Sequence, residues 1–410
     1  MRFNIVTFGC KVNQYESNMM KENMLHHNFL YEENLNKCDI IIINTCTVTN
    51  TADKKCLKEV RRIKREYPDK VLVVVGCSVQ YQEYAYKGMD IDILMGNKNK
   101  SHIGDIIQNY LETKNRYEYI DKERNIGFED MNINSFNHVR AFMKIEDGCD
   151  NFCSYCIIPY VRGTVRSKNF DTCIEEAKCL VKNGHREIVL TGIHTGRYEF
   201  NGHDLSDLIN ELSKITGLER IRISSIEVTE LNDKFLVLLK DNKKICNHLH
   251  IPLQSGSEEI LKRMNRKYNI DYFIDKINTI RSIRPDISIS TDIIVGFPGE
   301  TDEQFKECLE NAKKINFSKI HVFPYSKREG TVAAGMPNQV PEDIKKKRVK
   351  ALIELSNELE KDYYNKFKGK ELDVLVEEII NGKSIGHTSN YLKIEIPEIL
   401  EKGQIYKRVI

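Results

Sequence analysis

Apolar residues gather in short β-branched runs that alternate with longer amphipathic stretches. The first run, residues 3–8, stops at Gly9-Cys10, and a helical pattern follows over 14–25. A second, 39–43, stops at Asn44-Thr45-Cys46 and precedes a charged helical stretch at 52–65. A third, 71–75, stops at Gly76-Cys77. Alternating strand and helix patterns imply a parallel sheet with right-handed crossovers. Sites in such sheets assemble outside the carboxyl ends of the strands. Cys10, Cys46 and Cys77 stand at that edge, 36 and 31 residues apart, one βα unit each, so their thiols can converge on one point. The plainer alternative is three small buried hydrophobes, which is what most free cysteines are. The threefold repetition of the strand-end placement argues against it.

Residues 112–137 turn polar and Asn-rich without periodicity and read as a linker. Strand-like segments then recur at 138–145, 187–190, 220–225, 249–252, 288–295 and 319–323, with helical patterns between them. Six βα units predict an open or partial barrel rather than a closed eightfold one. A helix is predicted from Pro341 to about residue 366, and short alternating strands with Gly turns over 371–410 read as a small β-domain. The expected fold class is therefore α/β: an N-terminal parallel βα domain (1–115), a central partial (βα)6 barrel (135–340), a connecting helix (341–368) and a small all-β domain (369–410).

Composition narrows the chemistry. With 40% hydrophobic and 30% charged residues the chain is neither disordered nor fibrous. No run approaches the roughly 18 apolar residues that span a bilayer, and the start Met1-Arg2-Phe3-Asn4-Ile5-Val6 lacks a signal-peptide pattern. A cytoplasmic protein with no membrane partner is expected. Cytosolic thiols stay reduced, so the 12 cysteines speak for metal ligation rather than disulfides. The net charge of +2 gives no sign of nucleic acid, so any RNA would need a local patch.

After the first barrel strand comes Gly148-Cys149-Asp150-Asn151-Phe152-Cys153-Ser154-Tyr155-Cys156, a CxxxCxxC loop. Soft thiolates select zinc, copper(I) or iron–sulfur clusters. Structural zinc closes with four ligands, and no fourth Cys or His completes this loop, so a zinc knuckle would need a distant ligand. A four-iron cluster held by three cysteines leaves one iron open for a cofactor.

This loop resembles the radical S-adenosylmethionine superfamily. Thr7-Phe8-Gly9-Cys10-Lys11-Val12-Asn13-Gln14-Tyr15-Glu16, Asn44-Thr45-Cys46-Thr47-Val48-Thr49 and Gly76-Cys77 are similar to the N-terminal domain of its methylthiotransferases. Ile158–Gly163, His250–Ser257 and Asp292–Glu300 also match that family, and Val374–Glu378 with Gly386–Tyr391 resembles its RNA-binding TRAM domain. The resemblance implies two 4Fe–4S clusters, one on Cys149, Cys153 and Cys156 and a second on Cys10, Cys46 and Cys77. S-adenosylmethionine would serve both as methyl donor and as the source of a 5′-deoxyadenosyl radical that abstracts hydrogen from adenine carbon 2. The segment after Cys10, with Ser224-Ser225-Ile226-Glu227 and the stretch from His321 to Thr331, resembles the branch acting on N6-threonylcarbamoyladenosine 37 of tRNA that decodes ANN codons. The same chemistry on isopentenyladenosine tRNA or on a ribosomal-protein aspartate is the alternative. An electron carrier that is not an enzyme is a third, but carriers close each cluster with a fourth cysteine. An external electron donor such as flavodoxin or ferredoxin is expected, and the sulfur source is not legible.

Cofactor-contacting candidates are Gly192, Ser224, Gln254, Ser255 and Gly296, all near strand carboxyl ends. For Gly192 a tight turn is the equal alternative, and for Gln254, Ser255 and Gly296 a purely structural loop role. No catalytic acid–base pair is nominated beyond the cluster ligands. His194 and His248 read as hydrogen-bonded rather than metal-bound, and Cys38, Cys56, Cys173, Cys179, Cys246 and Cys308 as buried core. Lys345-Lys346-Lys347-Arg348 reads as a solvated helix face, with phosphate contact as the alternative. The last 70 residues hold 14 Lys or Arg against 13 Asp or Glu, so no broad basic footprint is expected there. Lys168 replaces the arginine usual in the family, a point charge instead of a bidentate fork. With the shortness of the TRAM-like segment, this predicts weak RNA affinity.

Overall fold

The computed structural model describes residues 1–124 and 127–410 and divides into two compact units. The first comprises Met1–Asn134, Glu146–Asp150 and Ile157–Lys168. Its centre is a parallel sheet of β1 (Arg2–Thr7), β2 (Leu30–Tyr31), β3 (Ile40–Thr45), β4 (Val71–Gly76), β5 (Ile93–Met95) and β6 (Tyr117–Tyr119), in the order β2-β1-β3-β4-β5-β6. Ile40–Ile43 and Val73–Val75 are fully buried, as continuous β-branched runs are when helices cover both faces of a sheet. The helices Lys11–His26 and Asn50–Glu66 follow β1 and β3, the second opened by Thr49, whose hydroxyl accepts from the Ala52 amide at 3.2 Å. Sequence reading misses β2, β5 and β6, which are too short to show a period. The linker expectation is corrected at Tyr117–Tyr119, which forms the edge strand, and residues 125 and 126 of that linker lie outside the described residues.

The second unit comprises Ser135–Ile145, Asn151–Cys156 and Asn169–Ile410. It opens with β7 (Arg140–Lys144); the short pair β8 (Glu146–Asp147) and β9 (Arg166–Ser167) that comes next in the chain belongs to the first unit. After β10 (Glu187–Thr191) and the hairpin β11 (Glu199–Phe200) and β12 (His203–Asp204) come β13 (Arg220–Ile223), β14 (His248–His250), β15 (Ser288–Val295) and β16 (Lys319–Pro324). All six predicted barrel strands are present. They form two three-stranded parallel sheets, β13-β10-β7 and β14-β15-β16, joined by a bridge between Ile221 and Ile245. Among the described residues no pairing returns β16 to β7, so the barrel is partial.

The helix Glu342–Asn365 packs on β16 and leads into an antiparallel sheet of β17 (Glu371–Ile380), β18 (Lys383–Thr388), β19 (Lys393–Ile396) and β20 (Ile405–Val409), ordered β19-β18-β17-β20. Its hairpin turns through Asn381 and Gly382 at φ 51° and 76°, the left-handed pair a two-residue loop demands. Tyr391 stacks on His248 and His387, with ring centroids at 4.7 and 5.0 Å, and lies under the guanidinium groups of Arg222 and Arg140. Arg220 donates to the carbonyls of Asp373 at 2.6 Å and His387 at 3.1 Å. The C-terminal sheet therefore covers the amino ends of the barrel strands.

Three sequence expectations need correction. Lys345 and Arg348 are buried rather than solvated: the Lys345 stem packs against Gly296, and Arg348 pairs with Glu300 and Asp302 at 2.7 Å each. Lys168 is also interior, donating to the Met131 carbonyl at 2.5 Å and lying 3.3 Å from the Tyr15 hydroxyl, so it bears on packing and not on RNA. Cys38, Cys56, Cys173, Cys246 and Cys308 are buried as expected, whereas Cys179 is only half-buried. No helix among the described residues is long and apolar enough to cross a membrane.

Two candidate cysteine sites

In the first unit the carboxyl ends of β1, β3 and β4 deliver Cys10, Cys46 and Cys77 to one place. Gly9, at φ 102°, lies so close to Cys46 that an added Cβ would stand 2.5 Å from its Cβ and 2.6 Å from its Sγ. Asn13 fastens two of the strand ends, donating to the carbonyls of Phe8 and Thr45 at 2.8 Å each. The Thr45 hydroxyl ties the third, donating to Val75 at 2.7 Å and accepting from the Ser78 amide at 3.2 Å. The three thiols sense one another's charge. Burial, then Cys77 and Cys10, push the Cys46 thiol up to about 12. Burial also raises Cys77, against the opposing pull of Arg162 and Lys100.

Those two cations sit in a closed ionic cluster. The Arg162 guanidinium donates to Glu16 and Asn13 at 2.9 Å and to Asp147 at 3.1 Å. Lys100 pairs with Glu16 at 2.5 Å, and Asn97, 3.4 Å from the Cys77 sulfur, lies 3.5 Å from the Lys100 ammonium. All four charged side chains are essentially without solvent contact. A Cys77 thiolate formed beside this cluster would face Arg162 and Lys100. The donor set suits soft metal chemistry, and the glycine beside Cys46 leaves that sulfur uncrowded. Among the described residues no three His, Cys, Asp or Glu are grouped to hold a single metal ion. A cluster makes a different demand, since each thiolate binds its own iron.

The CxxxCxxC loop is anchored piecewise. The Cys149 amide donates to the Gly163 carbonyl at 3.1 Å, and Gly148 at φ 87° lets the chain pass Thr164. In the second unit the Ser154 hydroxyl donates to the Arg263 carbonyl at 2.8 Å and its amide to Met264 at 3.0 Å. Arg266 Nη1 lies 3.2 Å from the Cys153 sulfur, its Nη2 pairs with Glu227, and its Nε donates to the Tyr268 hydroxyl at 3.1 Å. Burial would lower Arg266, but Tyr268 and Glu227 outweigh it and hold the group well above its ordinary range.

The five cofactor-contacting candidates fall at strand ends of the second unit. Gly192 follows β10, and Ser224 follows β13 with its amide on the Leu190 carbonyl at 3.0 Å. Gln254, at φ 67°, bridges to β15 through the Asp292 carbonyl and the Ile294 amide. Two candidates have structural reasons of their own. Ser255 is buried with its hydroxyl accepting from the Ser257 amide at 3.2 Å, and Gly296 makes room for the Lys345 stem. His194 pairs with Glu230 at 2.5 Å and His248 with Ser290 at 2.9 Å, so both imidazoles have protein partners.

Sequence reading missed Lys100, Asn97 and Asp147, as well as Arg266. Arg162 lay within a quoted motif without a role, and nothing in a string of letters marks a charge as buried. Arg266, three residues beyond the helix Glu258–Arg263 that follows β14, carried no signal of its own.

The Radical SAM superfamily matches residues 143–312, and the Uncharacterized protein family UPF0004 matches residues 2–96. The Threonylcarbamoyladenosine tRNA methylthiotransferase MtaB of Bacillus subtilis (strain 168) is 40% identical over 401 residues, covering 95% of this chain and 88% of the relative. The tRNA-2-methylthio-N(6)-dimethylallyladenosine synthase of Acetivibrio thermocellus is 36% identical over 386 residues, covering 90% and 79%. Among solved structures, the radical S-adenosylmethionine methyltransferase TsrM from Kitasatospora setae aligns with a TM-score of 0.58 at 12% identity, over 81% of this chain and 77% of that one, a likeness of fold alone.

Proposed function

This chain belongs to the radical S-adenosylmethionine methylthiotransferases of tRNA, and we propose that it converts N6-threonylcarbamoyladenosine 37 to its 2-methylthio derivative in tRNA decoding ANN codons. The observation that carries the reading is the second thiol triad. A radical enzyme needs only the Cys149, Cys153 and Cys156 loop, whereas Cys10, Cys46 and Cys77, gathered beside two buried cations, are what sulfur insertion adds. The substrate branch rests on Cys10-Lys11-Val12-Asn13 and on the identity to the Bacillus relative. The 36% identity to a dimethylallyladenosine synthase keeps isopentenyladenosine tRNA as the second reading.

The family implies a 4Fe–4S cluster and S-adenosylmethionine, which supplies a 5′-deoxyadenosyl radical when bound and reduced. In this proposal Cys149, Cys153 and Cys156 hold that cluster and Cys10, Cys46 and Cys77 hold a second. Arg266 donates to the Cys153 sulfur and is itself oriented by Glu227. Gly192, Ser224, Gln254, Ser255 and Gly296 border the cofactor. Asn13 and Thr45 keep the three strand ends in register, so that the thiols of the second set meet. Electrons come from a carrier such as flavodoxin or ferredoxin.

Anaerobic reconstitution should give about eight irons per chain and about four after replacing Cys149, Cys153 and Cys156 by Ala. Replacing Cys10, Cys46 and Cys77 should abolish methylthiolation and leave 5′-deoxyadenosine formation intact. Threonylcarbamoylated, isopentenylated and unmodified tRNA are then compared side by side by nucleoside mass spectrometry. Preference for the isopentenylated substrate overturns the branch, and methylthiolated product from the Cys10 set variant overturns the assigned roles.

A further inference from the structure

The helix Asn50–Glu66 carries seven Lys or Arg against three Asp or Glu, an excess of four in a chain whose net charge is only +2. Its two faces have different tasks. The inner face buries Asp53, Cys56, Val60 and Ile63, and the Cys56 sulfur accepts from the Cys46 amide at 3.4 Å, so this face packs against the first thiol site. On the outer face Lys54, Lys58, Arg61 and Arg65 recur every three or four residues. At 3.6 residues per turn they fall within an arc of about 60° and extend over about 16 Å. All four are exposed, and so is Lys55 beside them.

The acids of the helix do not neutralise this stripe. Glu59 and Glu66 both pair with Arg62 at its edge, and Asp53 is buried on the other side. Lys54, Lys55, Lys58 and Arg61 have no ion-pair partner among the described residues. Arg65 reaches Glu66 at 3.4 Å but keeps 75% of its side-chain surface. No apolar residue interrupts the stripe: positions 51, 54, 55, 58, 61, 62 and 65 hold only Thr, Lys and Arg. A docking face for a protein has an apolar or aromatic centre. A face for nucleic acid is polar and strongly positive. Like charges three and four residues apart repel each other in the free helix, and a polyanion laid along them relieves that repulsion.

We propose that this face is a docking surface for tRNA, on which Lys54, Lys58, Arg61 and Arg65 contact backbone phosphates. The inference rests on the tRNA reading above and deepens it. Phosphate contacts position the RNA on the unit that holds the first thiol site, and they read neither a base nor its N6 substituent.

The test uses the full reconstituted chain with threonylcarbamoylated tRNA and the same tRNA unmodified, binding being read by fluorescence anisotropy from about 50 to about 200 mM salt. The quadruple variant Lys54→Gln, Lys58→Gln, Arg61→Gln, Arg65→Gln should lower the slope of log affinity against log salt by about three, since each phosphate contact contributes about 0.7–0.9. At the lower salt it should weaken both tRNAs alike, by roughly 10- to 100-fold. Lys54→Gln with Lys58→Gln alone should change the slope about half as much. Lys54→Arg with Lys58→Arg keeps the charges and should keep affinity and slope. Gln is a good helix former and all four sites are exposed, so the thermal midpoint should not move. Dithionite-driven 5′-deoxyadenosine formation should stay at the wild-type level, while KM for tRNA rises far more than kcat falls. Gln variants with wild-type affinity and slope overturn this proposal, and the tRNA reading stands as long as the wild type methylthiolates. Unchanged tRNA binding with loss of flavodoxin-driven cleavage assigns the face to an acidic protein and overturns the proposal equally. A wild type that neither binds nor methylthiolates either tRNA overturns both readings.

Discussion

A single methyl group at Gly9 tests whether the first thiol site is as closely built as it looks. The residue sits at φ 102°, outside the region open to L side chains, and an alanine Cβ there would meet Cys46 at 2.5 Å on carbon and 2.6 Å on sulfur. Non-bonded carbon atoms rest about 3.5–4.0 Å apart, so the carbon overlap is roughly 1 Å, and rotating the Cys46 sulfur away would not relieve it because the Cβ is fixed to the backbone. Backbone strain contributes about 1–3 kcal/mol, and overpacking a rigid neighbour about 1–3 kcal/mol. Relief requires Cys46 to leave its position or the β1 end to shift, and either separates the three thiols. Gly9→Ala is therefore expected to take up about four irons per chain instead of about eight, with 5′-deoxyadenosine formation retained and methylthiolation lost. Gly88→Ala is the control, since a Cβ at Gly88 meets nothing within 4 Å and its φ of −81° suits any residue. Iron and sulfide are measured after anaerobic reconstitution, alongside the thermal midpoint of the apoprotein. Full iron uptake by Gly9→Ala with an unshifted midpoint would falsify the packing argument.

Two further outcomes follow from the charges around the sulfurs. Arg162→Met should lower apoprotein stability by about 1–3 kcal/mol, because Glu16 keeps Lys100 and Asp147 keeps Arg166 but both lose their charged hydrogen bonds to Arg162; a midpoint within experimental error of wild type refutes the closed ionic cluster. Arg266→Met removes the donor 3.2 Å from the Cys153 sulfur and should lower the reduction potential of the cluster bound there, since hydrogen bonds to sulfur stabilise the more electron-rich reduced state. Redox titration followed by electron paramagnetic resonance reads the shift, and an unchanged potential means the contact is only packing.

The parts legible in the sequence are those where one local pattern has one structural outcome. Ile40–Ile43 and the valines of β4 could only be strands buried on both faces, and the turns after them placed Cys46 and Cys77 at the sheet edge. The CxxxCxxC spacing puts three thiols on one loop whatever the fold. What escaped depended on partners far along the chain. Lys345 and Arg348 read as a solvated face because a helix of charges usually is one. They are interior because Gly296 leaves space for a lysine stem and Glu300 waits beneath Arg348. Lys168 misled for the same reason: Met131, 37 residues away, supplies the carbonyl that lets an ammonium group be buried. Strands of two or three residues such as β2 and β6 escaped because a period needs more repeats than they contain.

The interior of the partial barrel explains why this fold carries its C-terminal sheet. At the amino ends of the strands Glu187 accepts from Arg222 at 2.6 Å and lies 3.5 Å from Arg220. Burial alone would raise the Glu187 carboxyl, yet Arg222, with Arg140 and Arg220 behind it, holds it below its ordinary value. One carboxylate cannot satisfy three guanidinium groups, and desolvated cations are costly unless every donor finds an acceptor. The C-terminal sheet supplies them: the carbonyls of Asp373, His387 and Ser389 accept from Arg220 and Arg222, Glu377 pairs with Arg140 at 2.9 Å, and Tyr391 closes over the cations. That layer is complete within the protein. Above it His321 and Phe323 are exposed, and the Asp292 side chain keeps 30% of its surface. An apolar lining would have closed this end too, as it does in most barrels. The arginines at the strands' amino ends are thus sealed by carbonyl acceptors that the C-terminal sheet brings to them.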